Sequence, residues 1–171
     1  WLLAFSTIAT ARGDELPTFV VGKLPTAAQR AFEELRDSLT ARGHTTSRAD
    51  RLNSDADAPA LVVGLVGTNP EFDRFLAAHR RTVPDVADGL FVGRAADDRT
   101  LVLAGHDERG LTYALRDAAR GVALLPSGSD WRSGIVAESG TPLLRVRNVS
   151  VHLFNADCER EWFFSEEFWR R

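Results

Sequence analysis

The chain of 171 residues has a single cysteine, no methionine and no marked excess of either charge. Cys158 can form no internal disulfide and cannot build a cysteine metal site alone. The four histidines are scattered, and none is spaced like the zinc ligands of an HExxH motif. A net charge of −3 gives no bulk attraction to nucleic acid. We therefore expect no metal site, no cofactor and no nucleic-acid partner, and the oligomeric state stays open.

No apolar run in the sequence is long enough to span a bilayer, but the N-terminal run is unusual. Residues 1–8 are mostly apolar, Ala9-Thr10-Ala11 follows, and charges come next. This order is typical of the apolar core and A-x-A cleavage site of a secretory signal peptide. We interpret residues 1–11 as a clipped signal peptide and expect a secreted or periplasmic protein. The alternative is a first buried strand or helix.

Three segments show the apolar periodicity of amphipathic helices. In the first, Thr26 and Gln29 are a predicted capping box and Gly43 is a predicted left-handed stop. In the second, Asn69 is the predicted N-cap and Pro70 the first helical residue. The third begins after the apolar run 101–105. The predicted buried faces comprise Ala28, Ala31, Phe32, Leu35 and Leu39, then Phe72, Phe75 and Leu76, then Leu111, Ala114, Leu115, Ala118 and Val122.

Strands are predicted at residues 18–22 and 60–67, and as a hairpin across residues 89–105 that turns at Asp97-Asp98. The polar segment 45–59 is predicted to be a surface loop. The resulting order is β-α-β-α-β-β-α. It favours an α+β domain over residues 12–142, with a mixed β-sheet and helices packed on one face.

The segment LVLAGHDERGLTYA has two glycines, Gly105 and Gly110, at the spacing of a phosphate-binding loop. Leu111 stands where such a loop needs lysine, and Asp107 and Glu108 would repel a phosphate. A nucleotide-binding protein is therefore the weakest of the functional hypotheses. We predict instead that Asp107 caps the following helix, that Gly110 lets its first turn approach the sheet, and that Arg109 pairs with Asp107 or Glu108.

A domain that precedes the catalytic barrel of several glycoside hydrolases is similar to this sequence. Its motif of a strand, G-x-D-x-R-G and a helix opening with Leu-x-Tyr-Ala is matched by Gly105, Asp107, Arg109, Gly110, Tyr113 and Ala114. The chain resembles, over about residues 18–171, the β-N-acetylhexosaminidase-like N-terminal domain of α-glucuronidases and hexosaminidases. The resemblance implies a non-catalytic domain, with residues 143–171 as the first strand and helix start of a truncated (β/α)8 barrel. No catalytic residue is assigned, because the carboxyl groups of such enzymes lie on later barrel strands.

The barrel interpretation suggests substrate-binding candidates near the mouth of the first barrel strand. His152 would lie nearest the mouth, with Asn155 and Asp157 in the loop beyond, where polar groups bind sugar hydroxyls. Arg147 is a candidate for a uronic-acid carboxylate. The alternatives are that these groups satisfy backbone atoms, turn the chain or pair between domains. The aromatic residues 162–169 are interpreted as core that lacks its partner rather than as a sugar-stacking surface.

Two hypotheses of different classes follow from these patterns. In the first, the chain is the non-catalytic N-terminal region of an exported glycoside hydrolase that acts on O-glycosidic bonds and takes its carbohydrate substrate in the barrel. In the second, it is a non-enzymatic exported domain that binds a glycan or a partner.

Overall fold

The computed structural model describes residues 15–49, 52 and 60–141, which form one mixed β-sheet flanked by helices. The elements in chain order are β1 (Glu15–Val20), α1 (Thr26–Thr40), β2 (Thr45–Arg48), β3 (Leu61–Leu65), α2 (Pro70–Ala78), β4 (Leu90–Arg94), β5 (Leu101–Gly105), α3 (Glu108–Leu124), a 3₁₀ turn (Trp131–Gly134) and β6 (Glu138–Gly140).

Within the described residues, the sheet has six strands in the order β2-β1-β3-β5-β4-β6. The first four in this order run parallel to one another, β4 is antiparallel to β5, and β6 is antiparallel to β4. The turn between β4 and β5 is held by the Asp97 carboxylate, which accepts hydrogen bonds from the backbone N–H groups of Arg99 and Thr100. The predictions of an α+β fold, a mixed sheet and a hairpin are thus confirmed.

The helices occupy both faces of the sheet. α1 and α3 pack on one face, where Leu61, Leu101 and Leu103 point, and form the larger core with it. α2 packs on the other face, against Val62 and Val102. The prediction that the helices share one face holds for α1 and α3 and is wrong for α2. β3 is continuously apolar because it is covered on both faces, and such a run carries no alternation to show which helix lies where.

The N-terminus of α2 agrees with the sequence prediction, and the N-terminus of α1 does not. Asn69 caps α2 as predicted, accepting a 2.8 Å hydrogen bond from the backbone N–H of Glu71. α1 has Pro25 at its N-cap, so Thr26 is its first helical residue and the predicted capping box does not form. The side chain of Gln29 instead donates to Glu33.

The segment that begins at Thr45 is not all loop. Residues 45–48 form β2, a parallel edge strand that pairs with β1 in the register Glu15 with Thr45. Polar β-branched residues suit an edge strand because one of its sides faces water. β1 also begins at Glu15, three residues before the predicted strand start.

Several predictions fall outside the described residues. The proposed signal peptide over residues 1–11 and the proposed barrel start over residues 143–171 both lie there. Within the described part of the chain, no helix combines the length and the apolar character that crossing a membrane requires.

Candidate functional site

The turn from Gly105 to Gly110 lies at the carboxyl end of β5, where α3 begins. The Asp107 carboxylate accepts a 2.8 Å hydrogen bond from the backbone N–H of Gly110, so the predicted cap is confirmed. Its other oxygen accepts a 2.8 Å bond from the backbone N–H of Asp88. One carboxylate therefore joins the first turn of α3 to the loop of residues 84–89, which the sequence did not predict.

The turn from Gly105 to Gly110 packs so closely against the 84–89 loop that no side-chain atom fits between the two backbones. A Cβ atom on Gly110 would stand 2.1 Å from the carbonyl oxygen of Gly89. The backbone N–H of His106 donates a 2.8 Å hydrogen bond to that same oxygen. On the helix side, a Cβ on Gly105 would stand 2.2 Å from the backbone nitrogen of Leu111. The glycines of this turn thus allow backbone to contact backbone. The close contact of Gly110 is with the 84–89 loop, whereas the sequence predicted an approach to the sheet.

Charged side chains reinforce the junction. The Nε atom of Arg109 lies 3.2 Å from the Asp88 carboxylate, so the prediction that Arg109 pairs with Asp107 or Glu108 is wrong. A hydrogen bond with the Tyr113 side chain, aided by Asp88, raises the pKa of Arg109. Since Asp107 already occupies the helix N-terminus, the turn offers no free cradle to a phosphate. The motif residues serve to fasten α3 to the neighbouring loop.

The ionisation of Asp107 is coupled to these bonds. Burial acts to raise the pKa of Asp107, but backbone N–H donors from Asp88, Gly110 and Arg109, helped by the charge of His106, outweigh it. The net result is a pKa below the ordinary value for aspartate.

The lowered pKa of Asp107 predicts how the stability of the fold depends on pH. A carboxyl group with a lowered native pKa stabilises the fold above its unfolded pKa of about 3.9, and the contribution is lost as the pH falls through the native pKa. Asp107→Asn should be less stable than the wild type at neutral pH, with the difference shrinking as the pH falls below the unfolded pKa of about 3.9. Urea unfolding across that range is the measurement, with Asp117→Asn on exposed α3 surface as the control. A difference that stays constant with pH would contradict the assignment.

A second candidate site, here called the α1–α3 groove, lies at the opposite end of the sheet, near the start of β1. It is a half-open cavity of about 1460 Å³ between the C-terminal ends of α1 and α3. Its polar lining includes Glu15, Asp37, His44, Asp130 and Arg132.

Arg42 shapes this groove by joining the two helices. Its guanidinium donates hydrogen bonds to the backbone carbonyls of Val122, Ala123, Leu125 and Pro126. These carbonyls lie at the C-terminal end of α3, whose last residue is Leu124. The carbonyls of Val122 and Pro126 also accept from the backbone N–H groups of Leu125 and Ser129. Arg42 therefore adds donors at a helix end where intrahelical donors run out, and a cation also suits the negative end of the helix. The wall of the groove is therefore a fixed structure.

Trp131 and His44 form the inner part of the groove. Trp131 is 2% exposed, and the Arg132 guanidinium lies 4.6 Å from the centre of its ring. The ring of His44 is 6.4 Å from that of Trp131. The Nδ1 atom of His44 is buried and has no hydrogen-bond partner among the described residues. The sequence did not predict this site, because its residues are scattered from 15 to 132. The available signal was a single tryptophan, Trp131, in the turn-rich segment 127–134.

The predicted substrate-binding residues Arg147, His152, Asn155 and Asp157 lie outside the described residues, so they stay predictions. Across the parts of the chain that the structure describes, no group of three or more His, Cys, Asp or Glu side chains is placed to hold a metal ion.

Comparison with known proteins gives similarity in structure alone. No protein-family model matches the chain, and no curated protein sequence matches it either. A GH138 enzyme that targets pectin rhamnogalacturonan II matches 91% of this chain with a TM-score of 0.55 and 14% identity. A GH115 4-O-methyl-α-glucuronidase with specificity for decorated arabinogalactans matches 65% of it with a TM-score of 0.47 and 15% identity. The chain covers 21% of the first enzyme and 14% of the second.

The likeness to the GH138 enzyme shows a shared fold. Because the matched part is about a fifth of that enzyme, the comparison concerns one domain-sized region. The domain described here thus has a fold that also occurs within a much larger glycoside hydrolase.

Proposed function

We propose that the chain is the N-terminal, non-catalytic region of an exported glycoside hydrolase that acts on O-glycosidic bonds, with an α-glucuronidase-like or a β-N-acetylhexosaminidase-like substrate range. Residues 12–142 are the accessory domain in this proposal, and residues 143–171 begin the catalytic barrel. The carbohydrate substrate binds in the barrel, with Arg147, His152, Asn155 and Asp157 as contributors from the first strand.

The observation that carries the proposal is the shared fold with a region of a GH138 enzyme over 91% of the chain. The junction at Asp107 adds support in a different way. Asp107, Arg109 and Gly110 belong to the motif that resembles hydrolase accessory domains, and all three hold α3 to the 84–89 loop. A motif with a purely structural role suits a domain that carries no catalytic residue.

The first test is to sequence the source DNA beyond the codon for Arg171. The proposal expects a continuing frame of roughly 250 residues with repeated strand–helix units and acidic residues at strand ends. The complete product should hydrolyse either α-glucuronides or β-N-acetylhexosaminides, and the 171-residue chain should hydrolyse neither. A stop codon soon after Arg171 would refute the proposal.

A second test addresses the domain boundary. If residues 143–171 belong to another core, a chain that ends at residue 142 should stay folded and become more soluble. Circular dichroism and size-exclusion chromatography measure both properties. If the shortened chain unfolds, that segment completes the fold of this domain, and the alternative of a self-standing domain that binds a glycan or a partner is favoured.

A further inference from the structure

We propose that the α1–α3 groove is a binding site for a neutral oligosaccharide, separate from any site in a barrel. The inference rests on the proposed function only for its biological setting, since the argument itself uses the shape, the charge balance and the polar groups of the groove.

The size of the groove favours an oligomer over a single sugar or a small metabolite. Pockets for drug-sized ligands have volumes of roughly 300 to 1,000 Å³, and the groove at about 1460 Å³ is larger and half open. A half-open groove also leaves room for a ligand that extends beyond it. The Arg42 clamp fixes its two walls, so little ordering is required when a ligand binds.

The charges of the groove favour a neutral ligand. Three carboxylates line it, from Glu15, Asp37 and Asp130, together with the two guanidinium groups of Arg42 and Arg132. Charges of both signs are interspersed, so the groove has no strong field for a polyanion or a polycation. Arg42 is also committed to backbone carbonyls and is therefore a poor partner for a phosphate or a uronate.

The polar groups match hydroxyl groups, which both donate and accept hydrogen bonds. Carboxylates only accept, guanidinium groups only donate, and the hydroxyls of Ser127 and Ser129 do both. Leu125, which is half-buried, also lines the groove and offers apolar surface to the C–H face of a sugar. A ligand with alternating hydroxyl and C–H surfaces matches these groups, except for the guanidinium of Arg42, which is committed to backbone carbonyls.

His44 adds a specific anchor. Its buried Nδ1 atom has no hydrogen-bond partner in the described part of the chain, and buried polar atoms of this kind are rare in folded proteins. His44 lines the groove, so a rotation of its ring that exposes this nitrogen would let a ligand hydroxyl bond to it.

The test is calorimetric titration of the whole 171-residue chain with short neutral oligosaccharides prepared from galactan, arabinan and xylan. Oligogalacturonate and oligolysine serve as the anionic and cationic comparators. We expect at least one neutral oligosaccharide to bind and both charged comparators to fail. Loss of one hydrogen bond to a charged group weakens binding by about tenfold, and that is the effect expected of Asp37→Asn.

Two further variants make the test specific. His44→Phe keeps an aromatic ring beside Trp131 but removes Nδ1, and it should weaken binding by about three- to tenfold. Asp117→Asn makes the same chemical change as Asp37→Asn on exposed α3 surface that does not line the groove, and it should leave binding unchanged. Thermal unfolding of each variant shows that it is folded.

Three outcomes would overturn the proposal: no neutral oligosaccharide binds, a charged comparator binds best, or Asp117→Asn weakens binding as much as Asp37→Asn. None of these results affects the accessory-domain proposal, which is decided by the downstream sequence and by hydrolase activity.

Discussion

Replacing Gly110 with alanine is expected to lower the free energy of unfolding by about 3 kcal/mol and the melting temperature by roughly 10 °C. The new Cβ would stand 2.1 Å from the carbonyl oxygen of Gly89, which is backbone and cannot rotate away. Alanine has the higher helix propensity by about 1 kcal/mol, so the change would stabilise α3 if the space were open. Steric exclusion outweighs this gain because the 84–89 loop is held in place.

Three contacts keep that loop from yielding. Asp88 donates its N–H to Asp107, Gly89 accepts from the N–H of His106, and the Asp88 carboxylate pairs with Arg109. Chemical denaturation of Gly110→Ala measures the loss. Gly140→Ala is the matched control, since a Cβ there meets only a side-chain oxygen of Glu138 at 3.5 Å. Equal stability of the two variants would show that the loop moves freely.

Replacing Trp131 with alanine is expected to cost about 3 to 5 kcal/mol of stability. The side chain is 2% exposed and belongs to the core between the sheet, α1 and α3, although its backbone forms a short 3₁₀ turn outside both helices. Its removal leaves a large cavity and takes away the ring under the Arg132 guanidinium.

The measurement is urea unfolding, and the control is Val136→Ala, five residues further along the chain. Val136 is 80% exposed, so its truncation should change the free energy of unfolding by less than about 0.5 kcal/mol. Trp131→Phe should lose less of the free energy of unfolding than Trp131→Ala, because phenylalanine keeps a ring in the core. A small loss for Trp131→Ala would mean that the 3₁₀ turn is only loosely attached to the core.

The sequence correctly predicted the elements whose formation depends on residues close together in the chain. The buried faces of α2 and α3, the Asn69 and Asp107 caps and the β4–β5 hairpin each depend on residues a few positions apart, and each is confirmed. The predicted capping box at Thr26 failed because Pro25 takes the N-cap position and moves the helix start by one residue.

The features that the sequence did not predict depend on distant partners. Arg109 pairs with Asp88 rather than with its sequence neighbours, and β2 is defined only by its pairing with β1. The α1–α3 groove combines residues from the start of β1 with residues beyond α3, so no window of the sequence contains it. The candidates Arg147, His152, Asn155 and Asp157 stay predictions, since they depend on the proposed barrel start over residues 143–171, which lies outside the described part.

The bonds from Arg42 to the end of α3 connect residues 80 to 84 positions apart in the chain. α1 is therefore synthesised long before the helix that covers it, and its apolar residues Phe32, Leu35 and Leu39 are uncovered in the meantime. Because contacts of such long range form slowly, the growing chain is exposed to aggregation until α3 has been made. Nascent chains stalled before Pro126 should accordingly be the ones that chaperones retain and proteases remove.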